Sequence, residues 1–308
     1  MAFDWATLRG FNYMPSYSGN LQYTWTNFDL RAWEAEVPYA RRFGSNALRI
    51  WLDWHAFLCA ESQTLNAIDM ALDILERNDL RMIPVLFNRW TDPRYPAGGI
   101  STENLSAFEE PEESPGTARF RPYVDSILDR YAEDPRIILW DLCNEPLSPH
   151  CVATELETRW LTDVAGWIRA RSDIPITIGT MRNEYFEHWA PLVDVLSLHA
   201  YPRAIGEMSS ICESHLALAR SWNKPLIVTE TCVGSLDDAE RAALARDSLE
   251  TLDRFGIGWQ AWHLCSGALV TASRERTDSN SVRPEEGYMA FVLPNGQTRP
   301  YHEWLEVE

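Results

Sequence analysis

The feature that most constrains this chain is a regular alternation of short apolar runs with stretches of helical periodicity, repeated eight times. Each apolar run has the length of a buried strand, and each helical stretch carries apolar residues three and four positions apart. Such alternation predicts parallel strands joined by right-handed crossovers, and eight units can close into a barrel. The predicted strands are Leu8–Asn12, Ala47–Trp51, Met82–Phe87, the stretch Ile137–Pro146, Ile176–Gly179, Val193–His199, Pro225–Glu230 and Ile257–Trp262.

The fold prediction is α/β, with a single (β/α)8 TIM barrel over residues 1–308 and long loops between strands and helices. No linker, low-complexity tract or break in composition divides the chain, and α/β barrels of about 250 residues form one unit. The alternative is a doubly wound open sheet, which typically has a glycine-rich phosphate loop after its first strand. Here the residues Gly10–Pro15 form no such loop.

Two helices near the start of the chain are predicted in more detail. The first covers about Asp29–Phe43, and Pro38 is expected to kink or split it because proline removes a helical hydrogen bond. The second covers about Thr64–Asn78 and follows a predicted loop that contains Asp53–His55.

Composition narrows the choice of partners. The formal net charge is −18 at pH 7 and the sequence pI is about 4.8, which disfavours nucleic acid and anionic membranes because both bind surfaces rich in Lys and Arg. No apolar run approaches the ~18 residues of a membrane span, and no secretory signal is visible. The six cysteines form no C-x-x-C pair and are predicted to be reduced thiols of a cytoplasmic protein, with no metal and no cofactor. A neutral ligand suits such a chain, and the oligomeric state stays open.

Polar and aromatic residues end several of the predicted strands, where catalytic groups sit in a parallel barrel. The fourth strand is the clearest case, because an apolar run stops abruptly at Asn144, Glu145 and Pro146. Since side chains alternate along a strand, Glu230 is expected to share a face with Val228 and Leu226. The candidate residues at strand ends are Arg49, Asn144, Glu145, His199, Tyr201, Glu230 and Trp262.

Two glutamates at one barrel mouth point to the cleavage of a glycosidic bond. That reaction needs an acid to protonate the leaving oxygen and a carboxylate to meet the developing positive charge, and a separation of about 5–5.5 Å implies retention. Arg49 and Tyr201 are expected to hold Glu230 ionised, because a positive charge and a donated hydrogen bond both lower a carboxyl pKa. Asn144 can bind a sugar hydroxyl, and Trp262 offers a flat face to a sugar ring.

Four of the candidates also have a purely structural interpretation. Arg49 could be an ion-pair partner, His199 a hydrogen-bonded core histidine, Trp262 ordinary core, and Glu230 the cap of the next helix. The conjunction of all of them at strand ends favours a single site over separate structural roles.

The ordered series of these residues resembles clan A glycoside hydrolases, and most closely glycoside hydrolase family 5, the cellulase and mannanase family. The resemblance covers about Leu8–Trp262. It implies that Glu145 is the acid/base and Glu230 the nucleophile. It also implies that Asn144 binds the 2-hydroxyl group before the scissile bond, that Arg49 and Tyr201 position the nucleophile, that His199 lines the site near the acid/base, and that Trp262 floors the sugar pocket.

One position departs from the family pattern, which has a histidine after the third strand. Here the loop reads Asn88-Arg89-Trp90. His55, after the second strand, is the candidate replacement, and Trp90 is counted among the candidate substrate-binding residues. This departure predicts a divergent subfamily.

The resemblance to clan A implies a β-linked pyranoside as substrate, cleaved with retention, and we expect an oligosaccharide or small β-glycoside. We expect exo action of the β-mannosidase or β-glucosidase type, with the predicted loops Thr91–Pro115 and His263–Pro300 closing one end of the groove. The alternative is an endo-β-1,4-glucanase or mannanase. A non-catalytic carbohydrate-binding barrel is an alternative of another class, and a metal-dependent hydrolase is disfavoured because only His199 fits the His/Asp clusters that it needs.

Overall fold

The structure, a computed structural model, describes residues 3–90, 98–106, 116–147, 154–181, 183–235, 237–267 and 289–307. Eight parallel strands form a closed barrel in chain order, each paired with its sequence neighbours and the eighth with the first. This confirms the (β/α)8 barrel and excludes the open sheet. The strands are β1 (Arg9–Asn12), β2 (Ala47–Trp51), β3 (Arg81–Val85), β4 (Trp140–Asn144), β5 (Ile176–Thr180), β6 (Leu196–Ala200), β7 (Leu226–Thr231) and β8 (Gly258–Ala261).

Helices lie between successive strands, as the alternation predicts. They are α1 (Leu21–Thr26), α2 (Leu30–Glu36), α3 (Tyr39–Arg42), α4 (Trp54–Arg77), α5 (Thr102–Ser106), α6 (Arg121–Tyr131), α7 (Thr154–Arg169), α8 (Phe186–Trp189), α9 (Glu207–Ser221) and α10 (Asp238–Arg254). Short 3-10 turns precede the first strand, α6 and α8, and another lies near the end of the chain. Pro38 separates α2 from α3, which confirms the predicted interruption.

The start of α4 differs from the prediction, because the segment that contains His55 is helical. The Asp53 carboxylate accepts the N–H of Ala56 at 2.7 Å and caps the helix there. Non-helical backbone at Ala60 (φ −157°, ψ 67°) kinks the element. The kink breaks the apolar periodicity, and for this reason the sequence pattern is clear only from Thr64 onward.

Helix α1 was not predicted, since it lies in the aromatic segment after β1. The side chain of Asn20 accepts the N–H of Tyr23 at 2.8 Å and caps it. Six residues are too few to establish a helical period.

Two apolar groups fill the space on either side of the barrel wall. The outer cluster, between the strands and the surrounding helices, includes Leu226 and Val228 of β7 and Trp160 of α7. The inner layer closes the amino-terminal end of the barrel with one residue at or just before each of six strands: Leu8, Ala47, Ile83, Leu139, Val195 and Ile227. Polar residues occupy the barrel interior between this layer and the carboxyl-terminal end of the strands. That end is where the active sites of such barrels lie.

The two segments predicted as long loops lie partly outside the described residues. Within Thr91–Pro115, residues 98–106 are described and contain the short helix α5, which corrects that prediction. Within His263–Pro300, residues 268–288 lie outside the described part. The prediction that these segments close one end of a groove therefore stays a prediction.

Five of the six cysteines, at positions 59, 143, 212, 232 and 265, are free thiols, and Cys151 lies outside the described residues. Among the helices of the described ranges, none combines the length and apolar character that a bilayer span requires.

Candidate active site

A fully buried guanidinium occupies the centre of the barrel mouth. Arg49, in the middle of β2, donates to Asp141 Oδ2 at 2.9 Å and to Glu230 Oε1 at 2.6 Å. It also donates to the amide oxygens of Asn12 at 2.9 Å and Asn144 at 2.8 Å. Burial opposes the charged form, yet the two carboxylates outweigh it and raise the pKa of Arg49. Arg49 is therefore a fixed cation that joins four strands.

Glu230 lies near the end of β7 with both carboxylate oxygens bonded. Oε1 accepts from Arg49, and Oε2 accepts the Tyr201 hydroxyl at 2.8 Å. Burial raises the pKa of Glu230 above its ordinary value, although the Arg49 charge and the Tyr201 hydrogen bond both lower it. The predicted stabilisation of the charged form is thus present, but the net direction of the pKa is the opposite of the one that we predicted.

Glu145 follows β4 in a left-handed backbone conformation, with φ +48°. A side chain other than glycine rarely adopts such a φ, and residues that do so cluster at functional sites. Its N–H donates to the carbonyl of Gly179 at 2.8 Å. Its Oε1 lies 2.7 Å from Nδ1 of His199, so the turn and the histidine together orient the carboxyl group.

His199, from β6, is buried between the two acids. Burial lowers its pKa to about 4, so the imidazole is neutral at neutral pH. Its second ring nitrogen, Nε2, lies 3.1 Å from the Thr229 hydroxyl. Gly179 makes room for this arrangement, because a Cβ there would lie 2.7 Å from both His199 Nε2 and Arg49 Nη2.

Glu145, His199 and Glu230 approach one another closely enough that one ligand atom of each lies within 4.8 Å of the others. This is the set of described residues that could hold a metal ion. Both oxygens of Glu230 already accept hydrogen bonds, and the Arg49 guanidinium 2.6 Å away would repel a cation. The donor set therefore favours proton and carboxylate chemistry over metal binding.

The two strands that lead to the acids each contain a β-bulge. On β4 the pairing with β5 shifts between Asp141 and Asn144, and on β7 the pairings shift between Val228 and Thr231. A bulge adds one residue and re-aims the side chains beyond it. For this reason Asp141 and Asn144, three positions apart, can both bond Arg49, which strict alternation would prevent.

The bulge on β7 also corrects a prediction. Leu226 and Val228 belong to the outer cluster, whereas Ile227 belongs to the inner layer. Glu230 does not share their face: it bonds Arg49 inside the mouth. The expected alternation was correct up to the bulge and wrong beyond it.

Aromatic rings form one wall of the mouth. Trp262 follows β8, is buried, and contacts Trp51 edge-on with ring centroids 5.3 Å apart. The Arg49 guanidinium lies 4.5 Å from the centroid of Trp51, a cation–π contact. The surrounding apolar group also contains Met14, Leu21, Val85, Tyr201 and Met289.

The loop after β3 reaches the site through Asn88. Its Oδ1 accepts the side-chain amide of Asn144 at 2.9 Å. The same oxygen accepts the N–H of Trp90 at 3.1 Å, and Asn88 Nδ2 donates to the Trp90 carbonyl at 3.0 Å. Trp90 is buried and is connected to the site through this asparagine.

His55 is not brought to the acids by any contact that the structure describes. It lies in the first turn of α4, with Nδ1 3.8 Å from Asp53 and its ring against Trp54. Its proposed substitution for the missing family histidine therefore has no contact to support it.

Four polar residues of the site were not predicted: Asn12, Asn88, Asp141 and Thr229. Two of them carry a signal in the sequence. Asp141 is a single acid inside the apolar run Ile137–Cys143, and Asn12 is the polar end of the first strand. A charged residue within a buried strand is rarely tolerated without a partner.

Comparisons with known proteins agree with this geometry. A family model described as cellulase (glycosyl hydrolase family 5) matches residues 7–268. Mannan endo-1,4-beta-mannosidase 7 of Oryza sativa subsp. japonica is 22% identical over 264 residues, covering 68% of this chain and 69% of the relative.

Two solved structures have the same fold. The exo-beta-1,4-mannosidase Op5Man5 from Opitutaceae bacterium strain TAV5 superposes with a TM-score of 0.76 at 18% identity. The match covers 99% of this chain and 61% of that chain, so this chain spans about three fifths of that protein. The hyperthermostable endo-1,4-beta-D-mannanase from Thermotoga petrophila RKU-1 superposes with a TM-score of 0.62 at 16% identity, covering 95% of this chain and 98% of that chain.

Proposed function

The chain belongs to glycosyl hydrolase family 5 and is a glycoside hydrolase, and we propose that it cleaves β-linked pyranosides by double displacement, with retention of configuration. Glu230 is the nucleophile and Glu145 the acid/base. The observation that carries this proposal is the proximity of the two carboxyl groups, with one oxygen of each within 4.8 Å. Inverting enzymes need about 6.5–9.5 Å to hold a water molecule between the acids, whereas retaining enzymes need about 5–5.5 Å.

In the first step the Glu230 carboxylate attacks the anomeric carbon while the bond to the leaving oxygen breaks. Glu145 gives its proton to that oxygen, and a glycosyl-enzyme ester forms. Arg49 and Tyr201 each bind one oxygen of Glu230 and so fix the direction of attack. Preorganisation of this kind avoids rearrangement at the moment of reaction.

In the second step Glu145 is ionised and takes a proton from water. The resulting hydroxide attacks the anomeric carbon, the ester bond breaks, and Glu230 leaves as a carboxylate. His199 is neutral and has one nitrogen 2.7 Å from Glu145. It can hydrogen-bond this carboxyl group through both steps without adding a charge between the acids.

The sugar ring is placed on Trp262, and its 2-hydroxyl group on Asn144. Asn144 is supported on both sides, since its oxygen accepts from Arg49 and its amide donates to Asn88. Such support holds the amide group in one orientation, which favours discrimination between sugar hydroxyl configurations.

We propose β-1,4-linked mannosides as the substrate, with exo action on oligosaccharides. The exo-β-1,4-mannosidase from Opitutaceae supports this choice, because it superposes with a TM-score of 0.76, against 0.62 for the endo-mannanase from Thermotoga. Endo action on the same linkage is the second candidate, supported by the names of the rice relative and the Thermotoga enzyme.

The test is a panel of p-nitrophenyl β-glycosides at about pH 5 to 7, with the configuration of the first product followed by NMR. Release of the β-anomer is expected, and an α-anomer would contradict double displacement. Mannotetraose then separates the two modes, because an exo enzyme releases mannose first and an endo enzyme releases larger fragments. Binding of mannotetraose without any hydrolysis would favour the non-catalytic barrel.

A further inference from the structure

A buried ion pair lies just behind the turn that carries Glu145, and the proposed mechanism does not use it. Arg89, after β3, and Glu157, in α7, have fully buried side chains, with Nη2 2.9 Å from Oε1. Removing two charges from water is costly, so a buried pair is weak evidence for stability. Its contacts indicate a different role.

Arg89 and Glu157 each bond the turn that follows β4, Arg89 through its main-chain N–H and Glu157 through its carboxylate. Glu157 Oε2 accepts the N–H of Leu147 at 2.7 Å. The N–H of Arg89 donates to the carbonyl of Asn144 at 2.9 Å. Between these two anchors lie Glu145 and Pro146, and proline has no N–H with which to anchor itself.

The backbone of the turn is strained at the residues next to these hydrogen bonds. Glu145 has φ +48° and Leu147 has φ +59°, and neither is glycine. Residues in this region persist only where the surroundings over-determine them. The Leu147 anchor is a charge-assisted hydrogen bond, which is stronger than a neutral one.

The guanidinium of Arg89 also contacts the segment that follows it in the chain. It donates to the carbonyl of Ile100 and to the hydroxyl of Thr102 at 3.1 Å. Its neighbour Asn88 bonds the side chain of Asn144. The loop after β3, helix α5 and helix α7 are therefore joined by the buried guanidinium of Arg89.

We propose that Arg89 and Glu157 are positioning residues for the acid/base: they hold the strained turn so that the Glu145 carboxyl group points at the leaving oxygen. This inference rests on the proposed role of Glu145. Loss of Arg89 removes the cation that orients the Glu157 carboxylate, and loss of the Glu157 charge weakens the hydrogen bond to the Leu147 N–H, so in either case the turn relaxes. The hydrogen bonds from Arg49 and Tyr201 to Glu230 do not involve the pair, so we expect only the proton-transfer steps to slow.

The test is Arg89→Met, measured on two substrates of one sugar. The first is an unactivated β-1,4-linked oligosaccharide, whose leaving group needs a proton. The second is the 2,4-dinitrophenyl β-glycoside, whose leaving group does not. We expect kcat/KM to fall about 10²-fold on the first, within the range that a positioned general acid contributes, and to change little on the second. Added azide should raise turnover of the second substrate, because azide attacks the glycosyl-enzyme without a base.

Glu157→Gln is the second variant, and it decides the matter if Arg89→Met does not fold. Glutamine keeps an acceptor for the N–H of Leu147 but loses the charge, so the same pattern is expected with a smaller loss. Ile168→Ala is the matched control, since Ile168 is buried in the same helix. It should lower thermal stability without changing the ratio between the two substrates.

Equal losses on both substrates with no response to azide would overturn the inference, and so would a control that reproduces the substrate ratio. An unmodified enzyme that hydrolyses neither substrate would overturn the proposed function itself, which keeps the two failures distinct.

Discussion

The ends of β4 and β7 each present one glutamate to the same pocket, and both residues are 5% exposed. Glu230 is held by a cation and a phenol, one on each oxygen. Glu145 has a neutral imidazole on one oxygen, and its backbone lies in a left-handed turn. The two glutamates are thus equally buried but have different hydrogen-bond partners.

This difference teaches how one pocket can separate two identical side chains into two roles. Burial raises the pKa of a carboxyl group whichever role it has, so burial does not distinguish them. A fixed positive charge at 2.6 Å favours the ionised form of Glu230, as a nucleophile requires. The neutral imidazole beside Glu145 adds no charge next to that carboxyl group, which suits the proposed acid/base.

Glu230→Gln would remove the proposed nucleophile and should have the largest effect of the variants. The variant should lose at least about 10⁴-fold in kcat on every substrate, because the proposed ester forms on the Glu230 carboxylate. The fold should persist, since Arg49 keeps the Asp141 carboxylate as a partner. Steady-state kinetics and circular dichroism measure the two quantities. Near-normal turnover would exclude Glu230 as nucleophile.

Glu145→Ala would sharpen the contrast, since its effect should depend on the leaving group. We expect kcat/KM on unactivated oligosaccharides to fall about 10²- to 10⁴-fold, the range of general acid catalysis. The loss on a dinitrophenyl glycoside should be small. Comparison of kcat/KM across aryl glycosides of rising leaving-group basicity measures this. A loss that is the same for all leaving groups would contradict the acid/base role.

Arg49→Met would remove the ion pairs that Arg49 forms with Asp141 and Glu230. It leaves Asp141 and Glu230 buried without their cation, and removal of one member of a buried pair costs about 3–5 kcal/mol in free energy of unfolding. Urea denaturation measures the change. Arg77→Met is the matched control: Arg77 and Glu34 form an exposed pair, whose loss costs about 0–1 kcal/mol. Similar changes in the free energy of unfolding for the two variants would show that the buried Arg49 ion pairs do not stabilise the fold more than an exposed pair does.

Tyr201→Phe should have the smallest effect and a definite sign. The Tyr201 hydrogen bond stabilises the charged form of Glu230 and so lowers its pKa. Its removal raises that pKa further, so the acidic limb of the kcat/KM profile should move to higher pH. At the optimum we expect about a tenfold loss, the typical value of a hydrogen bond to a charged group. A shift to lower pH would contradict the assignment of Glu230 as the ionised group.

Much of the site was predictable, because strand ends can be read from the sequence. Proline ends β4 beside Glu145, and the apolar runs locate Arg49, His199 and Trp262 at the mouth once a barrel is assumed. Asn88 and Thr229 could not be found in this way. Their side chains matter only through hydrogen bonds to Asn144 and His199, which are distant in the chain.

The order of strands and helices could be read from the sequence, since hydrophobic periodicity is local and each element carries its own pattern. The residue types at the barrel mouth could be read from it as well. The directions of those side chains depend on tertiary contacts. The bulges on β4 and β7 reverse the expected alternation beside both acids, and they depend on pairing with neighbouring strands. The four partners of Arg49 come together only when the barrel closes, so the charge at its centre is a property of the closed sheet.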